Sequence, residues 1–186
     1  MTRIVSPEEF NAAFLGVAKR HKAAIVAAFF DPPKYTRLFL NENGVVADVA
    51  KKLGLKYHPG CWGIDAVMYE RYDTERLGEG WPEQLTVVIE HENIVGGARG
   101  GAHKEVNKLS TYNSPLKVLV TYPYMKPRKE RLKGYADILR RADIFNDFTT
   151  LRRHLVIYGL WTDNKDVSWE SYVYRIGEFV SLEVSS

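Results

Sequence analysis

The chain predicts an α/β fold, a central mixed β-sheet flanked by helices on both faces. Three observations predict it. Strand-like apolar runs alternate with helical ones along most of the sequence. Leu116 to Tyr122 reads as a strand buried on both faces. A helical segment over 97–112 separates that strand from the one before it, which makes the two parallel neighbours. With 186 residues, 45% hydrophobic and 26% charged, the chain has the size and composition of a single domain spanning 1–186.

Ser6-Pro7-Glu8-Glu9 starts a helix: Ser6 is placed as N-cap, Pro7 at the first helical position and Glu9 as capping-box partner. That helix is expected to run to about Phe30, where Asp31-Pro32-Pro33 stops it. A short helix follows from about Gly44 to Leu53, with Gly54 as terminator. Two strands, 63–72 and 85–92, flank a connection rich in Gly, Pro and charge and read as a hairpin with a long excursion. The helix over 97–112 carries Ala98, Ala102, Val106 and Leu109 on one face. Ser114-Pro115 breaks it before the 116–122 strand. Pro127 opens a helix with Leu132, Tyr135, Ala136, Leu139, Ala142 and Phe145 at helical spacing, and 154–161 and 169–180 read as two final strands.

Several function classes are excluded. The lone Cys61 cannot form an internal disulfide and fits a reducing compartment. The longest apolar region, Ala12 to Phe30, is interrupted by Lys19-Arg20-His21-Lys22 and cannot span a bilayer, and the start lacks a signal-peptide layout, so a cytoplasmic protein is expected. No Ser/His/Asp order or zinc-type Cys/His spacing occurs. Gly96 to Gly101 lacks the Gly-Lys-Ser/Thr ending of a nucleotide P-loop. Net charge is only +3, yet Lys126 to Arg153 holds nine basic residues against four acidic, and Leu155 onward two against five. A basic middle beside an acidic tail leaves one surface able to attract a polyanion.

The chemistry is concentrated in three acids. Glu90 and Glu92 stand one residue apart at the end of Thr86-Val87-Val88-Ile89, so they share a strand face while His91 points to the other, where a hydrogen-bonded structural role is expected. Asp65 follows the apolar start of the earlier strand. Like charges gathered beside a sheet interior need a cation among them, and hard carboxylate oxygens suit magnesium.

Asp65, then Glu90-His91-Glu92 after 25 residues, then a helix and an apolar strand, resembles the core of the PD-(D/E)XK, or restriction-endonuclease-like, nuclease superfamily over roughly Gly63 to Tyr122. The resemblance implies that fold, and a Mg2+- or Mn2+-dependent endonuclease that hydrolyses phosphodiester bonds of DNA. It implies that Asp65 and Glu90 hold the metal, that Glu92 completes the catalytic acids in the place of the family lysine, and that a lysine of the following helix takes over that charge. Lys104 is put in this role, with Lys108 one turn on, although both lie off the apolar stripe that Glu105 borders. Arg99, Lys126, Arg128 and Lys129 are the expected contacts to nucleic-acid phosphates. Ile64 stands where the family motif has proline. A two-strand cut would suit a homodimer. The missing strand lysine keeps open a non-catalytic nucleic-acid-binding or subunit protein of the same fold. A hydrolase acting on a small phosphorylated or carbohydrate substrate ranks below both, since same-face acids two residues apart are poorly spaced to flank a sugar from opposite sides.

Overall fold

The computed structural model describes residues 3–70, 72–73, 81–82, 84–93, 101–123, 128–145 and 147–182. Four helices come first, α1 (Pro7–Arg20), α2 (Lys22–Ala28), α3 (Pro32–Leu40) and α4 (Val45–Leu53). Ser6 caps α1 as expected, its hydroxyl accepting from the Glu9 N–H at 2.9 Å. The single helix expected as far as Phe30 is two helices. His21 leaves helical geometry (φ −88°, ψ 6°) and turns its ring onto Asp48 of α4 at 2.8 Å, so α2 begins anew. Asp31-Pro32-Pro33 both stops and starts a helix. The Asp31 carboxylate accepts from the Lys34 N–H, and prolines fit a first turn whose N–H groups have no helical partner. α4 ends as expected on Gly54, whose φ of +68° glycine adopts without steric cost.

The remaining elements are β1 (Lys56–Cys61), β2 (Ile64–Tyr69), β3 (Tyr72–Asp73), β4 (Trp81–Pro82), β5 (Leu85–Glu92), α5 (Gly101–Thr111), β6 (Leu116–Thr121), α6 (Arg128–Ala142), β7 (Arg153–Trp161), β8 (Val167–Arg175) and β9 (Glu178–Ser181). Seven strands form one sheet in the order β1-β2-β5-β6-β7-β8-β9, and β3 and β4 pair separately. β5, β6 and β7 run parallel, joined by the crossovers through α5 and α6, while β1-β2-β5 and β7-β8-β9 pair antiparallel.

The sequence reading differs from this sheet at both edges. β1 was not expected from the sequence; it holds Pro59, and at a sheet edge a proline costs no ladder hydrogen bond. The expected strand over 169–180 is a hairpin, turned at Ile176 and Gly177, both at positive φ.

Helices cover both faces. Phe10, Phe14 and Val17 of α1 and the apolar residues of α3 and α4 pack on Ala66, Met68, Val87, Ile89, Val118 and Ile157. Val106 and Leu109 of α5, with Tyr135 and Leu139 of α6, pack on Val67, Val88, Leu119, Val156 and Tyr158. Beyond the register shift near Leu85, alternation from Val87 to Glu92 assigns each residue of β5 to one helical layer or the other. Among the described residues no helix is long and apolar enough to cross a membrane.

Behind β5, on the α1–α4 side, His91 is buried, stacked on Phe39 with ring centroids 4.6 Å apart, and its Nε2 lies 3.0 Å from the Tyr122 hydroxyl. Burial pushes its pKa down to about 3, so it is a neutral packing group. Gly159 of β7 makes room for this aromatic layer: a Cβ there would lie 2.4 Å from Tyr122 and 2.9 Å from Trp169. Gly159→Ala should therefore cost about 1–3 kcal/mol through overpacking, lowering the melting temperature by several degrees. A calorimetric scan showing no change would contradict this account of the layer.

Candidate active site

The opposite face of β5 carries the acids. β2 pairs with β5 through Ala66↔Ile89 and Val67↔Val88, and one further step of that register sets Asp65 across from Glu90. Directly opposed residues of antiparallel strands have Cβ atoms roughly 5 Å apart. The Asp65 Oδ2 accepts the His91 backbone N–H at 2.9 Å, which fixes the carboxylate at the end of β5. Structure and sequence thus agree that Asp65 and Glu90 are brought together.

Glu90 is 2% exposed. Its Oε1 lies 2.7 Å from Lys108 Nζ, and the same amine lies 2.5 Å from Glu105 Oε2. The angles are not those of hydrogen bonds, which makes these charge contacts rather than aligned donor–acceptor pairs. Lys108 Nζ also donates to the Gly63 carbonyl at 3.2 Å, at the entry to β2, and the Tyr112 hydroxyl donates to the Trp62 carbonyl beside it. α5 is thereby tied to the strand that carries Asp65.

Lys104 is not part of this group. At 3.6 residues per turn, Glu105, Lys108 and Tyr112 fall on one flank of the α5 apolar stripe, about 60–120° from Ala102, whereas Lys104 lies about 160° away. Its side chain is exposed, in a shallow hollow with His103, Asn107 and Arg141. The lysine beside the acids is Lys108, and Glu105, given no role from sequence, is its partner one turn earlier. The signal was present in the helical phase of 105, 108 and 112 relative to 102, 106 and 109.

Glu92 shares the face of Glu90 but sits about 7 Å further along the strand. Its carboxylate packs against Gly101, where a Cβ would come within 3.0 Å of Oε2. The first turn of α5 offers a carboxylate the positive end of the helix dipole. Arg128 and Lys129 open α6; Arg128 pairs with Glu170 of β8, and Lys129 is exposed. Arg99 and Lys126 lie outside the described residues. Cys61 is buried, and burial raises its thiol pKa, so it is no nucleophile.

Glu90 is the electrostatic centre. Burial pushes its pKa up from 4.5 to about 9; the adjoining Glu105 and Asp65 add to the rise, and Lys108 opposes it without prevailing. Burial works against the charge on Lys108, but Glu105 and Glu90 together raise its pKa above the ordinary lysine value. Among the described residues no three His, Cys, Asp or Glu side chains form a ready-made metal cage. Magnesium is commonly held by one or two carboxylates together with waters and substrate phosphate oxygens. Asp65 and Glu90 supply hard donors of that kind, and the buried Oε1 of Glu90 lacks an aligned hydrogen bond, so the residues present fit a hard divalent ion.

No family model matches the chain, and no curated protein matches it either.

The raised pKa of Glu90 has a thermodynamic consequence. The folded protein holds the Glu90 proton more tightly than the unfolded chain does, so this contribution to stability is complete below about pH 4.5 and is lost as pH rises toward 9. Without added metal, wild type should lose stability over that window, by at most about 1.4 kcal/mol per pH unit. Glu90→Gln should flatten the dependence. Parallel denaturant titrations from pH 5 to 9 check this, and identical slopes for the two proteins would contradict the assignment of a proton to Glu90.

Proposed function

We propose that the protein is a divalent-metal-dependent nuclease with a restriction-endonuclease-like core, acting on DNA. The observation that carries the reading is the meeting of Asp65, Glu90 and Lys108 on one sheet face, from two antiparallel strands and the crossover helix that follows them. The succession α4, β1, β2, β5, α5, β6, with an acid on the second and third strands of the main sheet, supports the finer fold assignment.

Asp65 and Glu90 would hold Mg2+ or Mn2+, which when bound supplies positive charge for the phosphate oxygens and makes the attacking water more acidic. Lys108 remains protonated, so it donates and does not act as a base. In the place of the family's strand lysine, its ammonium orients the nucleophile and stabilises charge developing on the phosphate. Glu105 positions that ammonium, and the Gly63 carbonyl fixes its approach. Glu92, two residues beyond Glu90 on the same face, completes the acidic rim.

A second reading has its own observation. Lys108 already stands 2.7 Å from Glu90, in the place a metal ion would take, as expected for a non-catalytic nucleic-acid-binding protein of the same architecture. Calorimetric titration with Mn2+ separates the two: binding abolished by Glu90→Ala supports the nuclease, and binding indifferent to it supports the module.

In plasmid and oligonucleotide cleavage with Mg2+ or Mn2+, Asp65→Ala and Glu90→Ala should abolish product. Lys108→Ala should lower the rate about a hundred- to a thousandfold, the usual loss on removing one charge-stabilising donor. Lys104→Ala should leave the rate within about twofold, as for a surface substitution away from the chemistry. Equal cleavage by wild type and the two acid variants would sink the assignment. Because Glu90 must give up its proton to bind a metal, apparent metal affinity should also strengthen between pH 6 and about 9. A pH-independent titration would contradict that coupling.

A further inference from the structure

A groove of about 740 Å3 runs between α6 and the β8-β9 hairpin, on the same sheet face as Glu90. Its α6 wall is the helical stripe Lys129, Leu132, Lys133, Ala136 and Arg140, spaced i, i+3, i+4, i+7, i+11. The apolar members Leu132 and Ala136 are buried, and Lys129, Lys133 and Arg140 are exposed at the rim. The hairpin adds Tyr172 and Phe179, both half-buried and packed on the apolar layer beneath. The groove therefore has an aromatic and aliphatic floor under a cationic rim.

Two arginine bridges bracket it. Arg128 joins α6 to Glu170, whose other oxygen accepts from the Tyr172 hydroxyl at 2.7 Å. Arg140 donates to the Gly177 carbonyl at 3.0 Å across the hairpin turn. The bridges are twelve residues apart on α6, about 18 Å of helix. Glu170 and Glu178 are the acids of the lining, against four cations; Arg128 pairs with Glu170 and Arg140 with Asp137, which leaves Lys129 and Lys133 against Glu178. Among the described residues Lys129 and Lys133 have no acidic partner.

The groove also lies in line with the acidic site. Register places Glu92 beside Thr121, Thr121 beside Tyr158, and Tyr158 beside Glu170. Three strand spacings, about 14 Å, thus separate the Arg128 end of the groove from Glu92 along one transverse row.

We infer that this groove holds a single nucleic-acid strand, its bases over Tyr172 and Phe179 and its phosphates along Lys129 and Lys133, and leads it toward Asp65 and Glu90. The inference takes from the proposed function only that the ligand is a nucleic acid. Charge complementarity selects a polyanion, and the floor selects its form. In a duplex the bases are stacked away inside and only phosphates would meet the cations, whereas an unpaired strand presents flat apolar faces that stack on aromatic rings.

The test is fluorescence polarisation in EDTA with a labelled oligo-dT of about 12 nucleotides, within the range of single-strand site sizes, and with a labelled duplex of equal length. Wild type should bind the single strand at least about tenfold tighter than the duplex. The double variant Lys129→Glu/Lys133→Glu, both surface positions, should weaken single-strand binding about tenfold or more, and the slope of log affinity against log salt should fall by roughly 1.4, two phosphate contacts' worth. Phe179→Leu keeps an apolar side chain in the floor but removes the ring, and should weaken binding about five- to a hundredfold. Duplex binding as tight as single-strand binding, or unchanged affinity in either variant, overturns the inference. The assay needs no chemistry, so the two readings fail separately. Glu90-dependent cleavage with unaltered binding in the variants removes the groove alone, and charge-dependent strand binding without any cleavage removes the nuclease alone.

Discussion

Removing a carboxylate from water while it remains charged costs several kcal/mol even after relaxation, so Glu90, only 2% exposed, must carry a proton or face a cation. Much of the surrounding architecture answers to that demand. α5 crosses over β5 at the height that brings Lys108 to it, the Gly63 carbonyl and Tyr112 hold α5 against the entry to β2, and Asp65 is fixed by a backbone N–H of the next residue along β5. The parallel β5-α5-β6 unit is what makes this possible, since its crossover helix must lie on the same face as Glu90.

The two faces of β5 divide the work. On the α1–α4 side, His91, Phe39 and Tyr122 form a neutral aromatic layer that holds the strand without charge. On the other side the acids stand in a layer that α5 and α6 only partly close. A strand with one face given to packing and the other to charged groups keeps its acids in place without asking them to contribute to the core.

Legibility in the sequence followed the range of the interactions. Strand alternation is local, so the shared face of Glu90 and Glu92 and the opposite placement of His91 could be read directly. Pairing Asp65 with Glu90 needed only that two strands be neighbours. Choosing between Lys104 and Lys108 depended on the rotation of α5 against the sheet, which Ala102, Val106 and Leu109 set by packing, and the flank that holds Glu105 and Tyr112 marks that rotation only once all are placed on one wheel. β1 was hidden because Pro59 signals a turn by its backbone chemistry, and only its place at the sheet edge makes it a strand residue. The break at His21 was hidden because its reason, Asp48, stands in another helix.

The amine beside Glu90 belongs to a helix, whereas the desolvation that raises its proton affinity belongs to the sheet. Mechanical displacement and ionisation state are therefore a single coordinate here. Moving Lys108 away with α5 would tighten the hold of Glu90 on its proton, and pressing it closer would loosen that hold. The placement of a helix thus tunes the proton affinity of a residue that the sheet holds in position.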